Sequence, residues 1–544
     1  MIFPVKNKNN KLAGLLLGIL ACVYASCIDD KGNYSYREIN AVEISGIEKS
    51  YSVYLGQSLK ITPSLSFSIS ETQDSFKYEW HLMTGSSNKI SGGLLSAEKN
   101  LDIIVGNPIP GDGSYDVIYC VTNITTGVRY DCIFTLNVRD RMQTGYIMLC
   151  ERENNSFDID LISLFNDTLT QYHNLLDFYE SKLPRTGCKP LDLVCYCDPA
   201  SPTLAADGKK KYAIWILTDK GTERVRIENF EWKPEFNISG ISSVPEKFLQ
   251  GEPLIAEKMV APVVNLLSEA VNWIYCRGNW YWYNFPGMTT YFYLSPVNAP
   301  SYVGAPYKAA PYIVSRAQSA ALLFNEDANR FEYQYANSSG NSANVLRTNR
   351  LSADNTHFNW ENPDYRLIYM GNRDFSIGFA VVKNVSSNKY ELLLMDILDT
   401  SVRKLGRAEF PAGLALEDVK FFTFHNSMPY LYCATEDKLY RINTTAMQQW
   451  DDITSSVLPA GHKISRMKNS AFRFPANRRI IVATYDPAGQ AGKNGQLALY
   501  NVQDGTGDLI LAKHPDKQTE AGYQIDMKWT GFGKIINIDY KDPK

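Results

Sequence analysis

Residues 377–398 have the sequence IGFAVVKNVSSNKYELLLMDIL, in which two mainly apolar runs flank the stretch NVSSN at 384–388. Each run has the length of one β-strand, and Asn and Ser favour tight turns. The segment therefore predicts an antiparallel hairpin. The same pattern recurs through the rest of the chain after Arg141.

Strand–turn–strand segments follow one another at wide and fairly regular intervals. Their first strands are predicted to begin near residues 145, 211, 272, 320, 377, 429 and 479, and a last strand, KIINIDY, begins at 534. A repeat of about 40–50 residues with four strands is typical of a β-propeller, and wider gaps indicate insertions. One insertion, residues 164–183, is predicted to contain a helix. Residues 141–544 are thus expected to form a β-propeller-like domain of six to eight blades, with a second pair of β-sandwiches as the alternative.

Residues 39–140 have shorter alternating strands than the segments after them. The run LKITPSLSFSI at 59–69 is followed by FKYEWHLM, which contains Trp80, and by the hairpin YDVIYCVTNITTGVRYDCIFTLNV at 115–138. A tryptophan on a central strand and a closing hairpin are typical of an immunoglobulin-like sandwich of roughly 100 residues. The prediction for the whole chain is an all-β protein.

The start of the chain has the pattern of a secretory signal. Three lysines precede the apolar run LAGLLLGIL at 12–20, and ACVYASC follows. A transmembrane helix is the weaker alternative, because a span needs about 20 apolar residues. A cysteine at such a cleavage site is the acyl acceptor in bacterial lipoproteins. We favour Cys27, since Asp29 and Asp30 follow it, over the alternative Cys22. Residues 1–26 are then the signal peptide, and 27–38 a tether to the membrane.

Two cysteines of the closing hairpin, Cys120 and Cys132, are candidates for a disulfide. Both lie six residues from Thr126, so a turn centred there places them on facing strands. The alternative is that both are free core residues. A second group, Cys188, Cys195 and Cys197, has no histidine nearby and no zinc spacing, so we expect structural cysteines and no metal.

Composition and motifs exclude several classes of function. Lys and Arg number 55 against 58 Asp and Glu, a net charge of −3, which provides no electrostatic footprint for nucleic acid. The six histidines form no metalloprotease motif, and neither a G-x-S-x-G elbow nor a phosphate-binding loop occurs. The prediction is a non-catalytic protein without a cofactor. The alternative is a glycan- or peptide-degrading enzyme on the propeller, where several blades can contribute carboxylates.

An aromatic stretch at 273–293 contains the candidate ligand-binding residues. On a strand, alternate side chains share a face, so Trp280 and Trp282 face one way and Tyr281 and Tyr283 the other, with Trp273 on the preceding strand. Exposed aromatic side chains suit contact with sugar rings or peptide side chains. The alternative is that both faces are buried, because neighbouring blades cover both faces of a blade.

Four segments resemble the PKD-like lipoproteins of gut Bacteroidota. They are CIDDKGNYSYREIN (27–40), YEW (78–80), the hairpin at 115–138 and GYIMLCE (145–151). The resemblance covers the signal and the first 150 residues; the later half is similar in strand layout alone. Cys120 and Cys132 are a departure, since apolar residues or Thr would serve equally there.

The resemblance implies a function and a location. Members of this family look like accessory surface lipoproteins, encoded beside SusC/SusD-type outer-membrane importers that take up peptides or glycans. We therefore expect a protein anchored by lipid to the outer membrane, facing the cell exterior. Its expected partners are such an importer and a peptide or glycan ligand, with no nucleic acid.

Acylation of Cys27 is testable by mass spectrometry of the mature N-terminus. Cys27→Ser should abolish lipidation and release the protein from the membrane fraction, because it removes the thiol that carries the acyl chains. Cys22→Ser serves as the matched control and should leave the lipid in place. A lipid found on Cys22 in the wild type would contradict the assignment.

Overall fold

The computed structural model describes residues 38–541 except 84–92, 107–108, 110–112, 143, 166–167, 198–211, 243, 262–269, 286–295, 301–304, 317–319, 335–347, 355, 399, 448, 470–478 and 519–523. Strands dominate these residues, so the all-β prediction is confirmed. The α-helices described are one turn each: α1 (Leu175–Phe178), α2 (Glu246–Leu249) and α3 (Thr454–Val457). Within the described ranges no helix has the length and apolarity needed to cross a membrane. Cys22 and Cys27 lie outside these residues.

The chain divides into two compact units. The first contains residues 38–51, 58–103 and 115–136. The second contains residues 137–541 together with the short segments 52–57 and 104–114.

The described strands between residues 38 and 140 form one large sheet and two small ones. The large sheet has the order β2-β9-β8-β5-β6, and the pairs β1–β4 and β3–β7 form the others. The strands are β1 (Val42–Ser45), β2 (Ser50–Tyr54), β3 (Ser58–Ile61), β4 (Ser64–Phe67), β5 (Phe76–Leu82), β6 (Leu94–Ser96), β7 (Leu101–Ile104), β8 (Gly113–Asn123) and β9 (Arg129–Arg139).

Trp80 is central to the core of the first unit, as the sequence predicts. It lies on β5, fully buried, with its ring stacked on Tyr119 at 4.2 Å and edge-on to Phe134 at 6.2 Å between centroids. Its indole Nε1 donates a hydrogen bond to the Glu98 carbonyl at 2.9 Å. A large aromatic side chain with its one donor satisfied is stabilising in a core. The packing agrees with an immunoglobulin-like sandwich.

The predicted disulfide between Cys120 and Cys132 is wrong, because both thiols are free. The turn is offset by half a residue from Thr126. Asn123 N donates to Val128 O at 2.9 Å, so residue 120 faces residue 131 rather than 132. Adjacent strand positions point to opposite faces of a sheet. Accordingly Cys120 is buried while Cys132 is partly exposed, and burial, with Asp131 opposite, raises the pKa of Cys120 to about 12.

Seven antiparallel sheets follow one another along the described part of the second unit. The first has the order β38-β10-β11-β12, with β10 (Gly145–Arg152), β11 (Ser156–Phe165), β12 (Thr168–Tyr172) and β38 (Ile535–Lys541). The second has β13 (Pro190–Cys197), β14 (Tyr212–Thr218) and β15 (Thr222–Arg226). The third has β16 (Lys258–Val260), β17 (Ala270–Cys276) and β18 (Asn279–Phe285).

The next three sheets have four strands each, in chain order. The fourth has β19 (Val314–Ser315), β20 (Ala321–Asn325), β21 (Arg330–Gln334) and β22 (Asn349–Arg350). The fifth has β23 (Tyr365–Asn372), β24 (Ile377–Asn384), β25 (Lys389–Ile397) and β26 (Val402–Glu409). The sixth has β27 (Phe421–Phe424), β28 (Tyr430–Ala434), β29 (Leu439–Asn443) and β30 (Trp450–Asp452).

The seventh sheet has β31 (Lys463–Asn469), β32 (Arg479–Tyr485), β33 (Gly495–Val502) and β34 (Leu509–Leu511), and β37 (Lys528–Phe532) also pairs with β33. A separate hairpin consists of β35 (Lys513–Gln518) and β36 (Gln524–Asp526). The strands predicted at eight starting positions are confirmed, each within two residues, as β10, β14, β17, β20, β24, β28, β32 and β38. The helix predicted within 164–183 is mostly wrong: the strand β12 takes the first part, and α1 is one turn.

Apolar cores join consecutive sheets. One core contains residues of the sixth and seventh sheets, among them Tyr432 and Val482. Another contains Met148 of the first sheet together with Ile481 and Leu497 of the seventh. The first sheet is also continued by β38, which pairs antiparallel with β10 and contacts β13 and β31. The first and last parts of the second unit are therefore held together by both hydrogen bonds and apolar packing.

Free thiols at Cys120 and Cys132 can be checked by labelling the unfolded protein with iodoacetamide without reductant. Each should gain one carbamidomethyl group, because their side chains lie on opposite faces of the sheet. Peptide mass mapping identifies the two sites. A Cys120–Cys132 crosslinked peptide would contradict this register, and Cys433, which is fully buried and free, provides the internal control.

Candidate functional site

The structure buries most of the predicted aromatic candidates. Trp273 and Trp280 are 0% exposed and Tyr281 is 1% exposed, so the prediction of an exposed platform is wrong for these three. Trp282 is partly buried against the same core, and the side chain of Tyr283 lies outside the described residues. The physical reason is the alternative given for this stretch in the sequence analysis: both faces of β18 are covered by other parts of the unit.

Trp280 is a structural residue of the third sheet. Its Nε1 donates to the Ala310 carbonyl at 2.9 Å, and its ring contacts Tyr275 on the paired strand, with centroids 5.3 Å apart. Its backbone N–H donates to the side chain of Asn298 at 3.0 Å. Every polar group of this tryptophan therefore bonds inside the protein.

A second set of side chains gathers where the first strands of the sheets meet. We call it the first-strand cluster. It consists of Asp192 on β13, Lys258 on β16, Tyr312 two residues before β19, Tyr369 on β23, and Arg466 and Lys468 on β31. The members come from sheets two, three, four, five and seven.

Ring contacts run through the aromatic side of the cluster. The Lys258 Nζ lies 4.2 Å from the centroid of the Tyr312 ring, and the Tyr312 ring lies 5.0 Å from that of Tyr369. Tyr369 continues to Phe422 at 5.0 Å. The Arg466 Cζ lies 5.8 Å from the ring of Phe421, the neighbouring residue. Lys258 and Arg466 thus each lie beside the ring of an aromatic residue, Tyr312 and Phe421 respectively.

The carboxylates beside the cluster are held by donors of the protein itself. Asp192 accepts from its neighbour Leu193 N at 2.8 Å and from the side chain of Asn537. Asp539 on β38 accepts from Cys195 N at 2.7 Å and from Tyr540 N at 2.9 Å. These acids connect β38 to β13.

Asparagine side chains fix the spacing of the first strands. Asn372 on β23 and Asn469 on β31 each donate from Nδ2 to a backbone carbonyl of the first strand of another sheet. Asn537 on β38 does the same. The bonds are Asn372 to Ser315 O at 2.8 Å, Asn469 to Phe424 O at 3.0 Å and Asn537 to Leu193 O at 3.0 Å. Lys468 acts similarly, donating from Nζ to Ile538 O at 2.7 Å.

A β-bulge directly precedes the cluster residue in three first strands. The register shifts fall between Pro190 and Asp192, between Leu367 and Tyr369, and between Ile464 and Arg466. The β10–β38 ladder shifts in the same way beside Asn537. A bulge adds one residue and re-aims the side chain that follows, and bulges are over-represented beside functional sites. The recurrence of bulges beside the cluster residues marks this part of the first strands as a candidate functional region.

The pKa values of the cluster residues are shifted by burial. Burial lowers the pKa of Lys258 to about 8, although Asp192 opposes the shift. Burial raises the pKa of Asp192 despite Arg466 and Lys468, and it raises that of Tyr369 to about 12. Yet these side chains remain partly accessible to solvent. Groups that are surrounded by protein but still reach water line a recess rather than a flat surface.

This cluster is not predictable from local sequence, because its members lie far apart along the chain. Arg466 follows Asp192 by more than 270 residues, and no local motif connects them. The available signal is a polar or aromatic residue in each strand that starts a predicted sheet. Among the described residues, no group of three or more His, Cys, Asp or Glu has a metal-binding arrangement. Cys188 and Cys195 are buried, and Cys197 has no described side chain.

Comparisons with known proteins find a family match in the N-terminal region. The model of the PKD-like family matches residues 27–183. No curated protein matches the chain.

Among solved structures, a quinonprotein alcohol dehydrogenase-like protein from Bacteroides thetaiotaomicron is 10% identical, with 91% of this chain and 97% of that chain covered and a TM-score of 0.44. Apo AztD from Citrobacter koseri is 12% identical, with 86% and 98% covered and a TM-score of 0.30. Neither likeness bears on the function of this chain.

Replacing Trp280 tests its structural role. Trp280→Ala should lower the free energy of unfolding by about 3–5 kcal/mol, because it leaves a large cavity in a packed core. Trp282→Ala, on the same face but partly exposed, should cost clearly less. Denaturant unfolding followed by circular dichroism measures both. Equal, small losses would contradict the burial of Trp280.

Proposed function

We propose that the mature protein begins with the family-matched region and is anchored by lipid at the cell surface. We also propose that the second unit of the protein is a closed propeller of seven blades. Three observations support closure: seven consecutive sheets among the described residues, the shared β38–β10 sheet, and the core between sheets one and seven. Rapid hydrogen exchange of the β38 amides, as at an open edge, would contradict it.

We propose further that the protein binds without turnover, in the service of a SusC/SusD-type outer-membrane importer of peptides or glycans. The observation that carries this proposal is the chemistry of the first-strand cluster. Asp192 of the cluster and Asp539 beside it accept hydrogen bonds from backbone and Asn537 donors, and these bonds link β13 to β38. The groups left facing the recess are cations and aromatic rings, which suit ligand contact rather than acid–base catalysis.

The proposed location rests on the N-terminal segment. The family match begins at residue 27, the cysteine favoured as acyl acceptor, rather than at Cys22. Asp29 and Asp30 follow, as in surface-exported lipoproteins of the resembled family. A tethered binder also gains from high local concentration near its partner, because linkage makes weak contacts effective.

Affinity isolation from detergent-solubilised membranes tests this function. The tagged wild type should bring down SusC/SusD-type proteins and be accessible to protease on whole cells. The matched control, Asp29→Ala with Asp30→Ala, should keep its lipid but lose protease accessibility and importer capture. Absence of importer proteins with the wild type would sink the assignment. Release of products from peptides or glycans at enzymatic rates would refute the non-catalytic part.

A further inference from the structure

The two cations of the first-strand cluster differ from the other charged groups around them. In the described part of the chain, no carboxylate lies within ion-pairing distance of Lys258, and the Arg466 Nε is buried with no hydrogen-bond partner. The contacts described for both are faces of aromatic rings, Tyr312 and Phe421. A buried donor without an acceptor is costly unless something else supplies one.

The protein does not supply the acceptor from its nearest acids. Asp192 is within electrostatic range of both cations, but it bonds to Leu193 N and Asn537. Asp539 is likewise held by two backbone N–H groups. The third cation, Lys468, is committed to a backbone carbonyl. Donors therefore exceed acceptors in the recess, and Lys258 and Arg466 contribute the excess.

β-Bulges determine the direction of two side chains of the cluster, those of Arg466 and Tyr369. Arg466 follows the bulge at Ser465, and Tyr369 follows the bulge at Ile368. Without the extra residue, the alternation of the strand would turn each side chain to the opposite face. The sequence thus interrupts regular pairing at the positions that present a guanidinium and a phenol ring to the recess.

We propose that the first-strand cluster is a binding site for a sugar acid, whose carboxylate is bound by Arg466 and Lys258 and whose ring lies against Tyr312 and Tyr369. This inference rests on the binding function proposed above and names its ligand class. Guanidinium and ammonium groups are the preferred partners of carboxylates. Tyrosine faces provide apolar contact for a ring while their hydroxyls remain polar.

A sugar acid fits the charge of the recess better than a small peptide does. Three cations face two acids there, and both acids already accept hydrogen bonds. A free peptide would bring an ammonium group as well as a carboxylate, and the three cations of the recess would repel that positive charge. A sugar acid brings one negative charge and neutral hydroxyl groups, so it balances the excess cation.

Calorimetry with digalacturonate tests the site, with neutral digalactose and trialanine as comparison probes. The wild type should bind digalacturonate and bind digalactose at least tenfold more weakly, because a charge-assisted hydrogen bond contributes at least about tenfold in affinity. Arg466→Met and Lys258→Met should each weaken digalacturonate binding by about tenfold or more. Lys463→Met is the matched control, since this lysine lies on the same strand but pairs with Glu436, and it should leave binding unchanged.

Each outcome decides between specific alternatives. Equal binding of the acidic and neutral sugars, or binding that survives both charge-removing variants with unchanged melting temperature, would overturn the proposal. Preferred binding of trialanine would assign the site to peptides instead. If Arg466→Met fails to fold, Lys258→Met and the comparison of the two sugars still decide the case. Importer capture without any digalacturonate binding would overturn this site alone, whereas binding without capture would overturn the importer assignment alone.

Discussion

Pairing between β38 and β10 is the constraint on which the second unit depends. A strand at the edge of a sheet exposes a row of unpaired backbone groups, and β38 covers that row on β10. The same seven residues also carry Asn537 and Asp539, which bond to β13, and Lys541, whose Nζ donates to Met142 O at 2.7 Å. The last strand therefore orders the neighbouring sheets as well as completing the first one.

The sequence predicts the strand layout well because the layout is a local property. Apolar runs separated by Asn, Ser and Gly define each hairpin, and the predicted starts agree with the structure within two residues. The sequence also predicts Trp80 correctly as a core residue. The disulfide prediction fails for a geometric reason: a turn displaced by half a residue moves Cys132 to the other face of the sheet from Cys120. Turn register depends on backbone conformation that residue spacing alone does not specify.

The first-strand cluster could not be predicted from the sequence, because it depends on long-range pairing and on bulges. Asp192, Tyr369 and Arg466 become neighbours only when separate sheets assemble, and each reaches the recess after an extra residue in its strand. The aromatic stretch at 273–293 is more conspicuous in the sequence, but its residues Trp273, Trp280 and Tyr281 are buried. Density of aromatic residues therefore indicates the core here, and isolated polar residues at the starts of sheets indicate the proposed site.

The free cysteines have a consequence for how the protein reaches its final state. Burial raises the pKa of the Cys150, Cys276 and Cys433 thiols, so little reactive thiolate exists once the sheets have formed. Before that point every thiol is open to oxidation. In an oxidising compartment, correct folding then requires that the strands pair before incorrect disulfides form. Chaperones or reductants that delay oxidation should favour the native protein. In the folded protein, burial protects these thiols from oxidation.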